Sequence, residues 1–335
     1  MNKREVWVDN IKVFACILVV LGHFFQSMVQ SDILPKTDLY LWFNQTIYYF
    51  HVPLFFICSG FLYQNYGNVH TVKDWGQNIL HKLWRLGVPY VFFSFLTWMI
   101  KSIFSGAVNN KAGGLWETLF LYPLSPYWYL YALFLLFLIT PIFRNRKMAV
   151  IGLVISVMLV NIYIYIGGLD NPAISYIMSY EIWFVTGMCL GVFRFHQLER
   201  SKVWLFAGMA LATLFIVLSV ITYRTDKVFP GLETLLGFLA CTATILTICY
   251  VFKDNAQRRI TGFFAQYTMP IFLMHTLFAA LLRIVLLRYN IDNPYIHVIL
   301  GIFISFAGPI LAAFLSSYGI RMLSYLLLKL RSIFI

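Results

Sequence analysis

The feature that most limits what this chain can become is a succession of ten apolar stretches, each roughly 20 residues long, joined by short polar loops. They lie near 11–30, 45–65, 86–105, 127–143, 148–166, 177–194, 203–222, 232–252, 261–286 and 295–320. A backbone immersed in hydrocarbon must satisfy its own N–H and C=O groups, and a helix does so within one segment. The expected fold is all-α: a polytopic integral membrane protein of about ten transmembrane helices, built as a single domain over residues 1–335. Only 11% of the residues are charged, against about 25% in soluble domains. The amphipathic segment from Thr71 to Arg85 is expected to lie along the membrane surface ahead of the third span.

Cations orient the bundle. With the N-terminus in the cytoplasm, 18 of the 25 Lys and Arg residues fall in inner loops. Six (Lys36, Lys101, Lys111, Arg224, Lys227 and Arg288) fall in outer loops, and Arg283 is left inside the ninth span. That asymmetry obeys the positive-inside rule, so both termini are expected in the cytoplasm of a multi-pass cell-membrane protein. The +12 net charge is then mostly a topology signal, which argues against a nucleic-acid partner. The first apolar run lacks an A-x-A-like site, so no cleavable signal is expected. Cys16, Cys58, Cys189, Cys241 and Cys249 lie in apolar stretches without metal-like spacing and read as small core hydrophobes.

Three of the seven histidines, His23, His51 and His275, fall within spans, in the middle to outer half of the bilayer. Intramembrane ionisable groups usually line a pathway or a site, and three at comparable depth point to a shared polar cavity. No Asp or Glu stands beside them in sequence and no H-x-x-x-H spacing occurs, so a zinc centre is not expected. Lys12 and His23 are separated by three turns plus about 20°, on one helix face and roughly 16 Å apart along the axis. That geometry suits a long thin ligand with an anionic head at the cytoplasm and a reactive tip deep in the membrane. An acyl-coenzyme A has that shape.

Five stretches carry a family resemblance. They are DNIK followed by VVLGH at 9–23, FHVPLFFICSGFL at 50–62, KLWRLGVPY at 82–90, YWYLYALF at 127–134 and MHTLF at 274–278. Together they resemble the membrane-bound acyltransferase 3 family, and within it the branch of small sugar O-acetylases similar to fucose 4-O-acetylase. In that family a basic residue some ten positions before a histidine marks the first helix; Lys12 and His23 match it. The resemblance implies that His23 is the catalytic base and that Lys12 assists acyl-donor binding or catalysis. It also implies a cytoplasmic Arg-x-x-Arg motif, which here reads Lys82-Leu-Trp-Arg85. Many members carry a further extracytoplasmic hydrolase-like domain; residues 1–335 hold none, so transfer is expected to occur entirely in the membrane part.

A hydroxyl is a weak nucleophile, so acyl transfer needs a general base and stabilisation of the oxyanion. The expected reaction has His23 deprotonating a sugar hydroxyl that arrives from the outer face and attacks the thioester directly. Asp9, close to Lys12, is a candidate orienting acid. Lys12, Lys82 and Arg85 are expected to hold acyl-CoA, most simply acetyl-CoA by the family branch. His51 and His275 are second candidates, for proton relay or for positioning the acceptor. Tyr127, Trp128 and Tyr129 are placed at an outer helix mouth, as a sugar platform or as part of an interfacial belt. Two alternatives stay open: an acyl-enzyme on Ser59 or Cys58, and a transporter or exporter of a glycan or small solute.

Overall fold

The computed structural model describes residues 5–103, 113–225, 229–254 and 256–331, with side chains placed as far as Tyr318. Its helices in chain order are α1 (Val6–Gln30), α2 (Asp38–Tyr48), α3 (His51–Tyr66), α4 (Val72–Lys82), α5 (Val88–Ile103) and α6 (Trp128–Ile139). The second half contains α7 (Arg146–Tyr165), α8 (Pro172–Val192), α9 (Lys202–Thr225), α10 (Leu232–Val251), α11 (Arg259–Arg288) and α12 (Pro294–Arg331). Among the described residues nine helical segments are long and apolar enough to cross a membrane, and α6 is a shorter apolar helix of 12 residues. The expected all-α polytopic architecture is therefore present.

The differences from the expected spans are local and have causes. The second span is two helices in one 29-residue segment, α2 and α3, broken at Tyr49 and Phe50. His51 thereby becomes the first residue of a helix instead of an interior one. The segment 71–85 does form an amphipathic helix, α4, opened by a capping box between Thr71 and Asp74. It then runs through a π-helical turn, Leu83–Gly87, into α5, so the amphipathic helix and the third span form one continuous segment, Val72–Ile103. Such π turns often mark functional sites, and this one starts directly after Lys82 and carries Arg85.

Caps written in the sequence set other ends. The Asn145 side chain accepts from the Met148 amide at 2.9 Å to start α7, and Asn171 followed by Pro172 starts α8. In α11, Pro270 removes one ladder donor a turn ahead of His275.

The core runs between α1, α3, α8, α10 and α11. Trp7, Ile11 and Val20 meet Leu54, Phe56 and Phe61, then Phe184 and Met188, with Cys241 and Ile271 behind them, all buried. All five cysteines are buried and free. On α7, α9 and α12 large apolar side chains such as Ile151, Phe206 and Phe303 stand outward and exposed. Only lipid makes such a surface tolerable for a folded chain.

Candidate functional site

Two cavities enter the bundle from opposite ends of α1. The larger, about 1040 Å³, opens at the end where α1 begins and is lined by Asp9, Lys12, Ser59, Lys82, Arg85 and Tyr129 among others. The smaller, about 400 Å³, lies toward the other end and is lined by His23, His51, His275, Trp128, Tyr129 and Arg283 among others. Tyr129 and Phe272 line both and form the wall where the two meet. Lys12 and His23, on one face of one helix, therefore look into different chambers.

The larger chamber is lined by three cations, Lys12, Lys82 and Arg85, and three carboxylates, Glu5, Asp9 and Asp74. Two of the carboxylates are engaged locally. Glu5 accepts from the Tyr66 hydroxyl at 2.6 Å and from Trp7 Nε1 at 3.1 Å. Asp74 accepts from the backbone amides of His70 and Thr71. Lys82 Nζ sits 4.0 Å above the Phe137 ring, a cation–π contact that holds its stem against the wall. The chamber thus sets three cations around a guest's space, and none of its three acids is free.

The histidines converge in the smaller chamber. The His23 and His275 rings are 5.4 Å apart between centroids, and Tyr48 bridges toward His51 with centroids at 4.7 Å from His51 and 6.4 Å from His23. His275 Nδ1 lies 2.9 Å from the carbonyl oxygens of Ile271 and Phe272, and His51 Nδ1 meets the Ile47 carbonyl. A carbonyl can only accept, so both rings donate from Nδ1 and carry the Nε2 lone pair as an acceptor. His275 Nε2 is buried without a partner among the described residues. A buried lone pair of this kind calls for a donor, and a substrate hydroxyl is one.

The sequence candidates fall into three groups. Asp9, Lys12, Lys82 and Arg85 come together in the larger chamber. His23, His51, His275 and Trp128 come together in the smaller. The aromatic trio divides: Trp128 faces the smaller chamber, while Tyr129 stands at the junction instead of at an outer mouth. Tyr127 is fully buried and lines neither cavity; its hydroxyl pairs with Thr97 Oγ1 at 2.9 Å and donates to the Leu273 carbonyl at 3.1 Å. Of the two alternative nucleophiles, Cys58 is fully buried, with its thiol directed at the Val8 carbonyl. Ser59 lines the larger chamber, 3.3 Å from the Tyr129 hydroxyl.

Sequence reasoning missed Phe272, which carries no polar signal, and Tyr48, whose place beside His51 depends on the break between α2 and α3. It noticed Arg283 inside a span without giving it a role. In the structure that residue is 4% exposed and lines the histidine chamber.

The family model described as an acyltransferase domain (Acyl_transf_3) matches residues 5–314. The chain is also similar to nodulation protein NolL of Mesorhizobium japonicum, 29% identical over 144 residues. That alignment covers 41% of this chain and 35% of the relative, so the chain spans about a third of the curated protein it matches. No solved structure matches.

Proposed function

The chain belongs to the acyltransferase 3 family, and from that premise we propose that it moves an acyl group, acetyl in the first instance, from cytoplasmic acyl-CoA to a hydroxyl of an extracytoplasmic glycan. One observation carries the proposal: Lys12 and His23 share a helix face yet open onto two chambers that meet only at Tyr129 and Phe272. A donor that entered from the cytoplasm and an acceptor that entered from outside would meet at that wall. The larger chamber exceeds and the smaller falls within the volumes of about 300–1,000 Å³ usual for small-molecule sites.

In the proposed reaction the phosphates of the donor lie against Lys12, Lys82 and Arg85, and its thioester reaches the junction. The His23 ring nitrogen takes the proton from the sugar hydroxyl as that oxygen attacks the thioester carbon. The carbonyl π pair moves onto oxygen, and the Tyr129 hydroxyl, already at the junction, donates to the oxyanion. Collapse of the tetrahedral intermediate breaks the C–S bond. The His23 imidazolium returns its proton to the leaving thiolate, giving ester and free coenzyme A. His275 Nε2 is the acceptor available to the protonated His23 ring. Ser59 faces the chamber opposite to the three span histidines, an arrangement that supports direct transfer over an acyl-enzyme.

The deciding measurement is thioester turnover by the purified protein with glycan acceptors, followed as free thiol. A transporter would leave acetyl-CoA intact. Glycan analysis of a deletion strain is expected to find an O-acetyl group missing.

Two predictions belong here. Reporter fusions after Arg146 and Arg258 are expected in the cytoplasm, and fusions at Gly168 and Asp292 outside; a cytoplasmic report at Gly168 breaks the topology. The Lys12→Ala and Arg85→Ala variants are each expected to weaken acyl-CoA binding by about 10- to 100-fold, since a hydrogen bond to a charged group contributes about 1.5–3 kcal/mol. Lys82→Arg should be tolerated. Unchanged affinity in the double variant would place the donor elsewhere.

A further inference from the structure

The histidine chamber has an unbalanced charge. Two of its lining residues are cations, Lys101 and Arg283, and no Asp or Glu lines it among the described residues. The larger chamber, with three acids beside its three cations, is built differently.

Arg283 is 4% exposed although it lies only five residues before the end of α11, and a buried guanidinium without a counter-charge is costly. Its Nη1 donates to Ser27 Oγ at 2.7 Å, to the Ser27 carbonyl at 3.3 Å and to Ser31 Oγ. These partners are all neutral. They fix the group but do not cancel its charge. A guanidinium has five N–H donors in a planar fork, and only Nη1 is engaged among the described residues. Nε and Nη2 remain to present a fork to a guest. Lys101, near the end of α5, lines the same chamber and makes no hydrogen bond among the described residues.

Position completes the argument. Ser27 follows His23 by four residues, so the two share a face of α1 one turn, about 6 Å, apart. The guanidinium is therefore anchored about one turn outward of the proposed base. That separation is on the scale of one pyranose ring.

We infer that the acceptor is a sugar bearing an oxyanion, carboxylate or phosphate, which Arg283 and Lys101 bind while a hydroxyl of the same or the adjoining sugar lies at His23. The inference rests on the acyl-transfer reading and narrows its acceptor. An oxyanion would neutralise the buried guanidinium and accept from its open edge bidentately. It would also fix which hydroxyl meets the base, because recognition and reaction occur at the two ends of one ring.

The test is calorimetric binding to the purified full chain in lipid nanodiscs, with the methyl glycosides of glucuronic acid, glucose 6-phosphate and glucose as probes. At least one of the two anionic glycosides is expected to bind about tenfold or more tightly than the neutral one, with a preference that shrinks as salt rises. Preference for the uronide alone assigns a sugar acid, and for the phosphate alone a sugar phosphate. Lys101→Gln is expected to remove much of the preference. Lys101 makes no hydrogen bond among the described residues, so the variant tests the claim even if Arg283→Gln fails to fold. Arg283→Lys should retain a reduced preference. Arg288→Gln changes an exposed cation outside the chamber and should leave the preference intact. Equal binding of all three glycosides, no binding of either anionic one at millimolar concentration, or a preference indifferent to Lys101→Gln overturns the inference. Transfer from acetyl-CoA, measured on the same samples, separates the two levels. Acetylation of neutral and anionic glycosides alike would sink the anion site and leave the acyltransferase reading standing. Anion preference without any thioester turnover would do the opposite.

Discussion

His23→Ala is expected to fold and insert normally, to bind acyl-CoA with unchanged affinity, and to lose about 10²–10⁴-fold in acyl transfer, the usual worth of a positioned general base. Each part follows from geometry. Stability should hold because His23 makes no hydrogen bond among the described residues, whereas His51 and His275 are tied to backbone carbonyls. The substitution removes a polar ring from an apolar helix. Donor affinity should hold because Lys12, Lys82 and Arg85 line the other chamber. Only the chemistry should fail. A packing histidine predicts the reverse: lower expression or thermal stability, with surviving molecules still active. Thermal unfolding, acyl-CoA binding and transfer rate on one purified variant separate these cases. A stable His23→Ala protein that transfers at the normal rate would move the base assignment to His275, whose unpartnered Nε2 is the next acceptor in the chamber.

What the sequence disclosed, and what it withheld, follows from which physics is local. The spans were legible because mean hydropathy over about 20 residues is a sum over neighbours in the chain. The pairing of Lys12 with His23 was legible because helical phase is local too, and the structure keeps them on one helix while assigning each a chamber. Convergence of His23 with His275 was suggested only by comparable depth; their 5.4 Å separation depends on how α1 packs against α11. The break at Tyr49 and Phe50 does carry a local mark, Pro53, which has no N–H for the Tyr49 carbonyl four residues back and crowds it, yet the hydropathy of 45–65 runs through it unbroken. Pro53 is tolerated in a first helical turn, which is where a helix starting at His51 puts it. Tyr127 and Tyr129 read alike as members of an aromatic run. A two-residue step along a helix rotates by about 200°, which leaves one packed against α5 and α11 and the other at the wall between chambers.

Glycine positions carry the second large prediction, because they hold α3, with His51 and Ser59, against α8. A Cβ added at Gly60 would stand 1.9 Å from the Phe184 carbonyl oxygen, and one added at Gly187 would stand 1.9 Å from the Ile57 carbonyl oxygen. The contacts are reciprocal: each glycine sits three residues beyond the residue whose carbonyl the other glycine meets. The obstacle on both sides is backbone, so no rotamer change relieves it. The helices would have to separate, opening the packing of Phe56, Phe61 and Phe184, all of them fully buried. Close helix approach through small residues is a main source of association in a bilayer, where burial from water no longer drives it. Gly60→Ala and Gly187→Ala are each expected to cost about 3 kcal/mol, the upper end of ordinary overpacking. The double variant should yield little folded protein. Gly76→Ala is the internal control, since nothing lies within 4 Å of its added Cβ and it sits inside α4. There the change should stabilise the helix by up to about 1 kcal/mol. Unfolding midpoints in detergent, with yields of monodisperse protein, measure all four. A Gly187→Ala protein that melts with the parent would mean that the two helices stand further apart than this fold requires, and the placement of His51 and Ser59 on the chamber walls would fall with it.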